Sequence, residues 1–142
     1  MSPRWKPNPD VRTGRHVVHH LHAHLVFLTK YRRGAFTGPM LIRCEQIMRE
    51  VCADFEVELG EFNGADGHVH LLVHYPPKVA LSKLVNSLKG VSARMLRKEF
   101  GTHVRTYLQA GHFWSGSYFA GSVGGAPPTV VEQYIEQQNR PA

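Results

Sequence analysis

Long apolar runs are missing from this chain: nowhere do about 18 apolar residues follow one another, the length a membrane helix needs. The opening MSPRWKPNPDVRTGRH is polar and rich in proline, without the apolar stretch of a secretory signal. A soluble, cytoplasmic protein with no membrane partner is expected. Cysteine is scarce too, with two in 142 residues and no CxxC pair to suggest a zinc module. Cys44 and Cys52 fall eight residues apart on an expected helix, about 12 Å along its axis, beyond the reach of a disulfide. They read as small core residues. Acidic residues are outnumbered, 11 against 17 Lys and Arg, for a net charge of +6 before ten histidines are counted. That balance favours polyanionic partners without proving them.

At 142 residues the chain is long enough for one core and too short for two of ordinary size. Residues 1–16 read as a flexible N-terminal segment and 17–142 as a single domain. From His20 to Tyr31 the residues alternate as in a strand, with Leu21, Ala23, Leu25, Phe27 and Tyr31 on one face and His22, His24, Val26 and Leu28 on the other. Pro39 then opens a stretch in which Leu41, Cys44, Met48, Val51, Cys52 and Phe55 recur at helical spacing. Alternation returns from Glu56 to Phe62, and Asn63-Gly64 signals a turn. HVHLLVHY follows, placing His68, His70, Leu72 and His74 on one strand face and Val69, Leu71, Val73 and Tyr75 on the other.

After Pro76-Pro77, Leu81, Leu84, Leu88, Val91, Met95 and Leu96 mark a second amphipathic helix. Lys83, Arg94, Arg97 and Lys98 lie on its opposite side, as a phosphate-binding stripe or a solvated face. HFWSGSYFAGSVGG reads as a last strand, and Thr129 as the N-cap of a terminal helix, TVVEQYIEQQN. The order is βαββαβ plus one helix. It predicts an α+β, ferredoxin-like fold: an antiparallel sheet with two helices on one face and the other face open.

Two imidazoles at His68 and His70 share a strand face and suit a common metal ion, or are strand histidines with ordinary hydrogen bonds. Tyr134 and Gln138, four apart on the terminal helix, also share a face. They read as a phenol and a carboxamide approaching one metal centre, or as a helix packing through its tyrosine. A phenol, with a pKa near 10, is a poor nucleophile at neutral pH unless a metal polarises its target.

HLHAHLVFLTKYRR, GHVHLLV, LSKLVNSLKGVSARMLRKEF, FWSGSYFAGSVGG and VEQYIEQQ stand in the order and spacing of the single-tyrosine HUH transposases, the TnpA type of single-strand insertion sequences. The chain resembles that family from about Val17 to Asn139, and five ordered motifs are far more specific than any one. The resemblance implies a homodimer acting on single-stranded DNA with a hairpin near the element end. It also implies excision and insertion through a 5′-phosphotyrosine intermediate. It makes Tyr134 the nucleophile, carried on the C-terminal helix, His68 and His70 the metal pair and Gln138 the third ligand. One position departs: the residue before the first histidine is commonly Asp, and here it is Gly67, with Asp66 one place earlier.

A His, His, Gln set suits Mg²⁺ or Mn²⁺ in an open octahedral site, although imidazoles hold Zn²⁺ more tightly. The resemblance points to Mg²⁺ or Mn²⁺. No nucleotide cofactor is expected, because a phosphotyrosine bond conserves the energy of the phosphodiester it replaces. Lys30, Arg32, Arg33, Lys89 and Arg94 are the candidate DNA-binding cations. Phe113, Trp114, Tyr118 and Phe119 either stack on bases or fill the core. Glycine and proline pairs at 124–125 and 127–128 tether the terminal helix, which is free to dock on its own sheet or a partner's. Three rivals compete with a mobile-element transposase: a domesticated relative processing chromosomal repeats, a non-catalytic DNA-binding dimer, and a zinc hydrolase. The last lacks an evident carboxylate base beside HVH.

Overall fold

The structure, a computed structural model, describes residues 12–13, 18–30, 36–65, 67–108, 112–122 and 134–136. In chain order its elements are β1 (Arg12–Thr13), β2 (Val18–His19), β3 (His22–Leu28), α1 (Gly38–Asp54), β4 (Glu58–Ala65), β5 (His68–His74), α2 (Leu81–Glu99), α3 (Gly101–Leu108) and β6 (Phe119–Ser122). Four strands form one sheet in the order β4-β5-β3-β6, with every neighbouring pair antiparallel. β1 and β2 pair separately, and the boundary expected at residue 17 falls between them. The protein is α+β, with a four-stranded antiparallel sheet and helices.

The alternating patterns become the two faces of the sheet. In β5, Val69, Leu71 and Val73 are fully buried while His68, His70, Leu72 and His74 are half-buried. The same phase in β3 sends Ala23, Leu25 and Phe27 into the core. α1 starts where Thr37 accepts a hydrogen bond from the Met40 N–H at 3.3 Å, with Pro39 in the first turn, where no N–H is required. Its stripe of Met40, Cys44, Ile47, Met48, Val51 and Cys52 meets Leu84, Val85, Leu88 and Leu96 of α2 over the same sheet face. An Arg43–Glu99 ion pair, with contacts of 2.8 and 3.1 Å, joins the two helices at the surface. Both cysteines are buried, and burial pushes their thiols up to about 12, so they pack as neutral side chains.

Two local expectations are corrected. Asn63-Gly64 is not a turn: β4 runs on to Ala65, and Gly64 faces Val69 across the ladder. The missing side chain serves a close approach, since Leu41 of α1 occupies the space a Cβ would take. The last strand is confined to Phe119–Ser122. Upstream, Trp114 makes only an isolated bridge to Thr29, because Phe113 and Trp114 turn inward and are 2% and 4% exposed. α3, unforeseen, carries one buried side chain among the residues described, Val104, too little for a readable stripe. Most of the expected terminal helix lies outside the described residues; 134–136 are helical.

Trp114 is held by a polar contact inside the core. Its Nε1–H donates to Ser92 Oγ at 3.0 Å, and that hydroxyl donates to the Leu88 carbonyl at 2.6 Å. Ser92→Ala leaves the indole N–H buried without this acceptor. It should lower stability by about 1–3 kcal/mol, read as a shift of the urea midpoint at unchanged m-value. An unshifted midpoint would show that the bond contributes nothing net.

Candidate functional site

Opposite the helices, the strand register arranges a histidine-rich face in rows. His68 stands between Leu28 and Ala65, His70 between Val26 and Asn63, Leu72 between His24 and Glu61, and His74 between His22 and Glu58. β6 extends two of these rows, with Phe119 beside Val26 and Gly121 beside His24. Val26 and Leu28 are wholly buried here, so this face is only partly open.

His68 and His70 lie two residues apart on β5, about 7 Å between their Cα atoms. Burial lowers the pKa of both; for His70 the nearby His24 and His68 lower it further against Glu61, which raises it. Both therefore present neutral imidazoles at neutral pH, the form that binds metals. His24 of β3 reaches His70 directly, Nδ1 to Nε2 at 2.9 Å. A second cluster occupies the far end of the face: the His22 and His74 rings are 3.3 Å apart, those of His20 and His22 4.4 Å, and His74 Nδ1 is 3.7 Å from Glu58.

Tyr134 docks on its own chain. Its ring packs on Phe119 with centroids 5.7 Å apart, and its hydroxyl is 3.0 Å from Ser117 Oγ. Phe119, Val26 and His70 form one row, so the ring supporting the tyrosine is two strand spacings, about 10 Å, from the HVH strand. Gln138 lies outside the described residues. Among those described, no three His, Cys, Asp or Glu side chains converge as a metal site. The neutral, half-buried His68 and His70 fit two positions of a divalent ion that takes its other ligands elsewhere.

The position before His68 is held through the backbone. The Gly67 carbonyl accepts from the Thr29 N–H at 2.9 Å and from Thr29 Oγ1 at 3.2 Å. The chain thus secures this turn through Gly67 without a side chain at that position; Asp66 is outside the described residues. Lys30 follows at the same end of the sheet, exposed, while Arg32 and Arg33 are not among the described residues. Lys89 is committed to the fold: its ammonium donates to the Ser115 carbonyl at 2.8 Å and sits 5.8 Å from the Tyr118 ring centroid. Burial lowers its pKa. Arg94 is exposed on α2, which packs on the opposite face of the sheet from the histidines. Phe113 and Trp114 are core, and Tyr118 and Phe119 are half-buried.

The residues not singled out from sequence are Thr29, His24 as a partner of His70, and Ser117. The signal for His24 was present, since the alternation of β3 places it on the histidine face. What was missing was the register that makes it the diagonal neighbour of His70.

Known proteins match this chain in sequence and in fold. The family model described as "Transposase IS200 like" matches residues 17–138. The transposase for insertion sequence element IS200 of Salmonella typhimurium is 34% identical over 115 residues, covering 81% of this chain and 74% of its own. The ISDra2 transposase TnpA of Deinococcus radiodurans is 29% identical over 130 residues, 92% of each chain. A crystal structure described as a transposase from Deinococcus radiodurans has a TM-score of 0.83 at 29% identity, covering 92% of this chain and 99% of that one. A REP-associated tyrosine transposase bound to a REP hairpin shares the fold, with a TM-score of 0.52 at 9% identity over 88% of this chain and 68% of that one. With its motifs in order, its sheet matched and a family model spanning nearly its whole length, this chain belongs to the IS200-like transposases.

Proposed function

We propose that this transposase cuts and rejoins single-stranded DNA with Tyr134 as nucleophile and a divalent metal at His68 and His70. It acts as a homodimer on DNA that carries a hairpin near the element end. The observation that carries the reading is that Tyr134 docks beside β6 on the face where His68 and His70 stand half-buried and neutral. The strand order β4-β5-β3-β6 agrees with a ferredoxin-like βαββαβ plan, and 134–136 fit a C-terminal helix bearing the tyrosine.

Mg²⁺ or Mn²⁺, held by His68, His70 and Gln138, would polarise the scissile phosphate and offset the charge that builds on it. Tyr134 Oη attacks phosphorus: the Oη–P bond forms as the bond from phosphorus to the 3′-oxygen breaks. The phenol loses its proton and the departing oxygen gains one. One strand end becomes a 5′-phosphotyrosine and the other a free 3′-hydroxyl. A second 3′-hydroxyl reverses these bond changes and releases Tyr134, so the strands rejoin in a new combination without a nucleotide cofactor. Ser117 and Phe119 hold the phenol between these events. Lys30, exposed at the end of β3, meets the phosphates, and Arg32 and Arg33 are further cations for the same backbone. Arg94 reaches only a strand that wraps round the sheet, and Lys89 acts through the Ser115 loop it secures.

Incubation with Mn²⁺ and the single-stranded DNA flanking the gene should yield a covalent protein–DNA adduct on a denaturing gel. Fully paired duplex should give none. Binding should weaken steeply between about 50 and 200 mM salt, because releasing counterions from the DNA into a saltier solution gains less entropy. Equal cutting of duplex, or no adduct with any flanking single strand, would reject the proposal.

A further inference from the structure

His24 and His70 come from adjacent strands in which His24 faces Leu72 and Val26 faces His70, so the two histidines are diagonal neighbours. Nδ1 of His24 is 2.9 Å from Nε2 of His70, with ring centroids 5.1 Å apart and planes at 43°. Two ring nitrogens at that distance share one proton. If His24 donated it, a neutral His70 would carry its own proton on Nδ1 and have no lone pair left for a metal. If His70 donates it, the His70 Nδ1 lone pair is free. Histidines that bind metals ordinarily donate their other ring N–H to a partner, which fixes tautomer and ring orientation. Only the second arrangement lets His70 be a ligand while the observed contact persists.

We infer that His24 is a positioning residue for His70: its Nδ1 accepts the Nε2–H of His70 and holds that ring with Nδ1 available to the metal. The inference rests on the proposed metal role of His68 and His70. It assigns a task to His24 of β3, on a strand separate from the HVH motif. His24 touches neither metal nor DNA in this role and acts through His70 alone.

Two measurements test it, one of them without metal. In the metal-free protein at pH 7.5, long-range ¹⁵N–¹H correlation of the histidine rings should show His70 protonated at Nε2. A proton on Nδ1 would overturn the inference. By calorimetry, His24→Ala should weaken Mn²⁺ binding roughly 10–100-fold, the usual effect of removing an outer partner of a ligand. His24→Asn should recover most of that loss, because its carbonyl oxygen sits near the position of Nδ1 and accepts the same N–H. A purely structural role would instead lower the melting temperature of both variants without this split in affinity. Less than threefold loss in His24→Ala, or equal losses in the two variants, would overturn the inference while a large loss in His70→Ala left the metal reading standing. Equal Mn²⁺ affinity in the unaltered protein and His70→Ala would overturn the metal reading, and the inference with it.

Discussion

Tyr134→Phe should bind hairpin DNA as tightly as the unaltered protein and form no covalent adduct. The substitution keeps the ring that packs on Phe119 and removes only the hydroxyl that meets Ser117. One exposed hydrogen bond contributes about 0.5–1.5 kcal/mol, too little to undock the helix. The chemical step has no substitute for that oxygen. Its rate should fall on the order of 10⁶-fold, the scale seen when a covalent nucleophile is removed. Ser117→Ala separates holding from reacting: it loosens the docked phenol, and adduct should still form. An adduct at the unaltered level in Tyr134→Phe would dismiss Tyr134 as nucleophile.

The second large effect concerns metal binding. His68→Ala and His70→Ala should each weaken Mn²⁺ by more than about 100-fold, the upper end of what removing a ligand's partner costs. His74→Ala, at the far end of β5 beside His22 and Glu58, should change it little. The pH dependence follows from burial, which lowers the pKa of both ligands. Protons therefore compete only below the ordinary imidazole value of about 6.5, so affinity should stay level from about pH 8 to that point and fall on further acidification. Linkage to folding has the same sign. A depressed folded-state pKa contributes stability that is present above the unfolded value and lost as pH falls through the folded one. His68→Ala should accordingly lose less stability in acid than the unaltered protein. Calorimetry giving equal losses for His68, His70 and His74 would refute the pairing.

Much of the architecture was legible in the chain itself. HAHLVFL and HVHLLVH alternate so strictly that each assigns its residues to a face, because successive side chains of a strand point opposite ways. The stripes of α1 and α2 were equally readable from their spacing. Five ordered motifs also indicated the family that the matching model bears out over 17–138. Local rules failed where a distant partner decided the outcome. Asn63-Gly64 has the composition of a turn, yet pairing with β5 and the packing of Leu41 keep it in a strand. The aromatic run from Phe113 has the composition of a strand, yet Ser92 draws Trp114 into the core and Lys89 ties down Ser115.

Composition and periodicity by themselves determined that there is one sheet face of histidines and one of aliphatic residues, because that depends only on neighbours along the chain. They could not determine which histidines meet. His24 and His70 are 46 residues apart, and their contact exists only because β3 and β5 pair in one register; a slip of one residue would send either histidine to the opposite face. The seat of Tyr134 was likewise beyond local reading. Ser117 and Phe119 lie 17 and 15 positions before it, and they become its support only when β6 pairs with β3 and presents them beside the row that leads to His70. Tertiary structure decided these contacts because strand pairing acts between segments whose order, but not whose adjacency, is written in the chain.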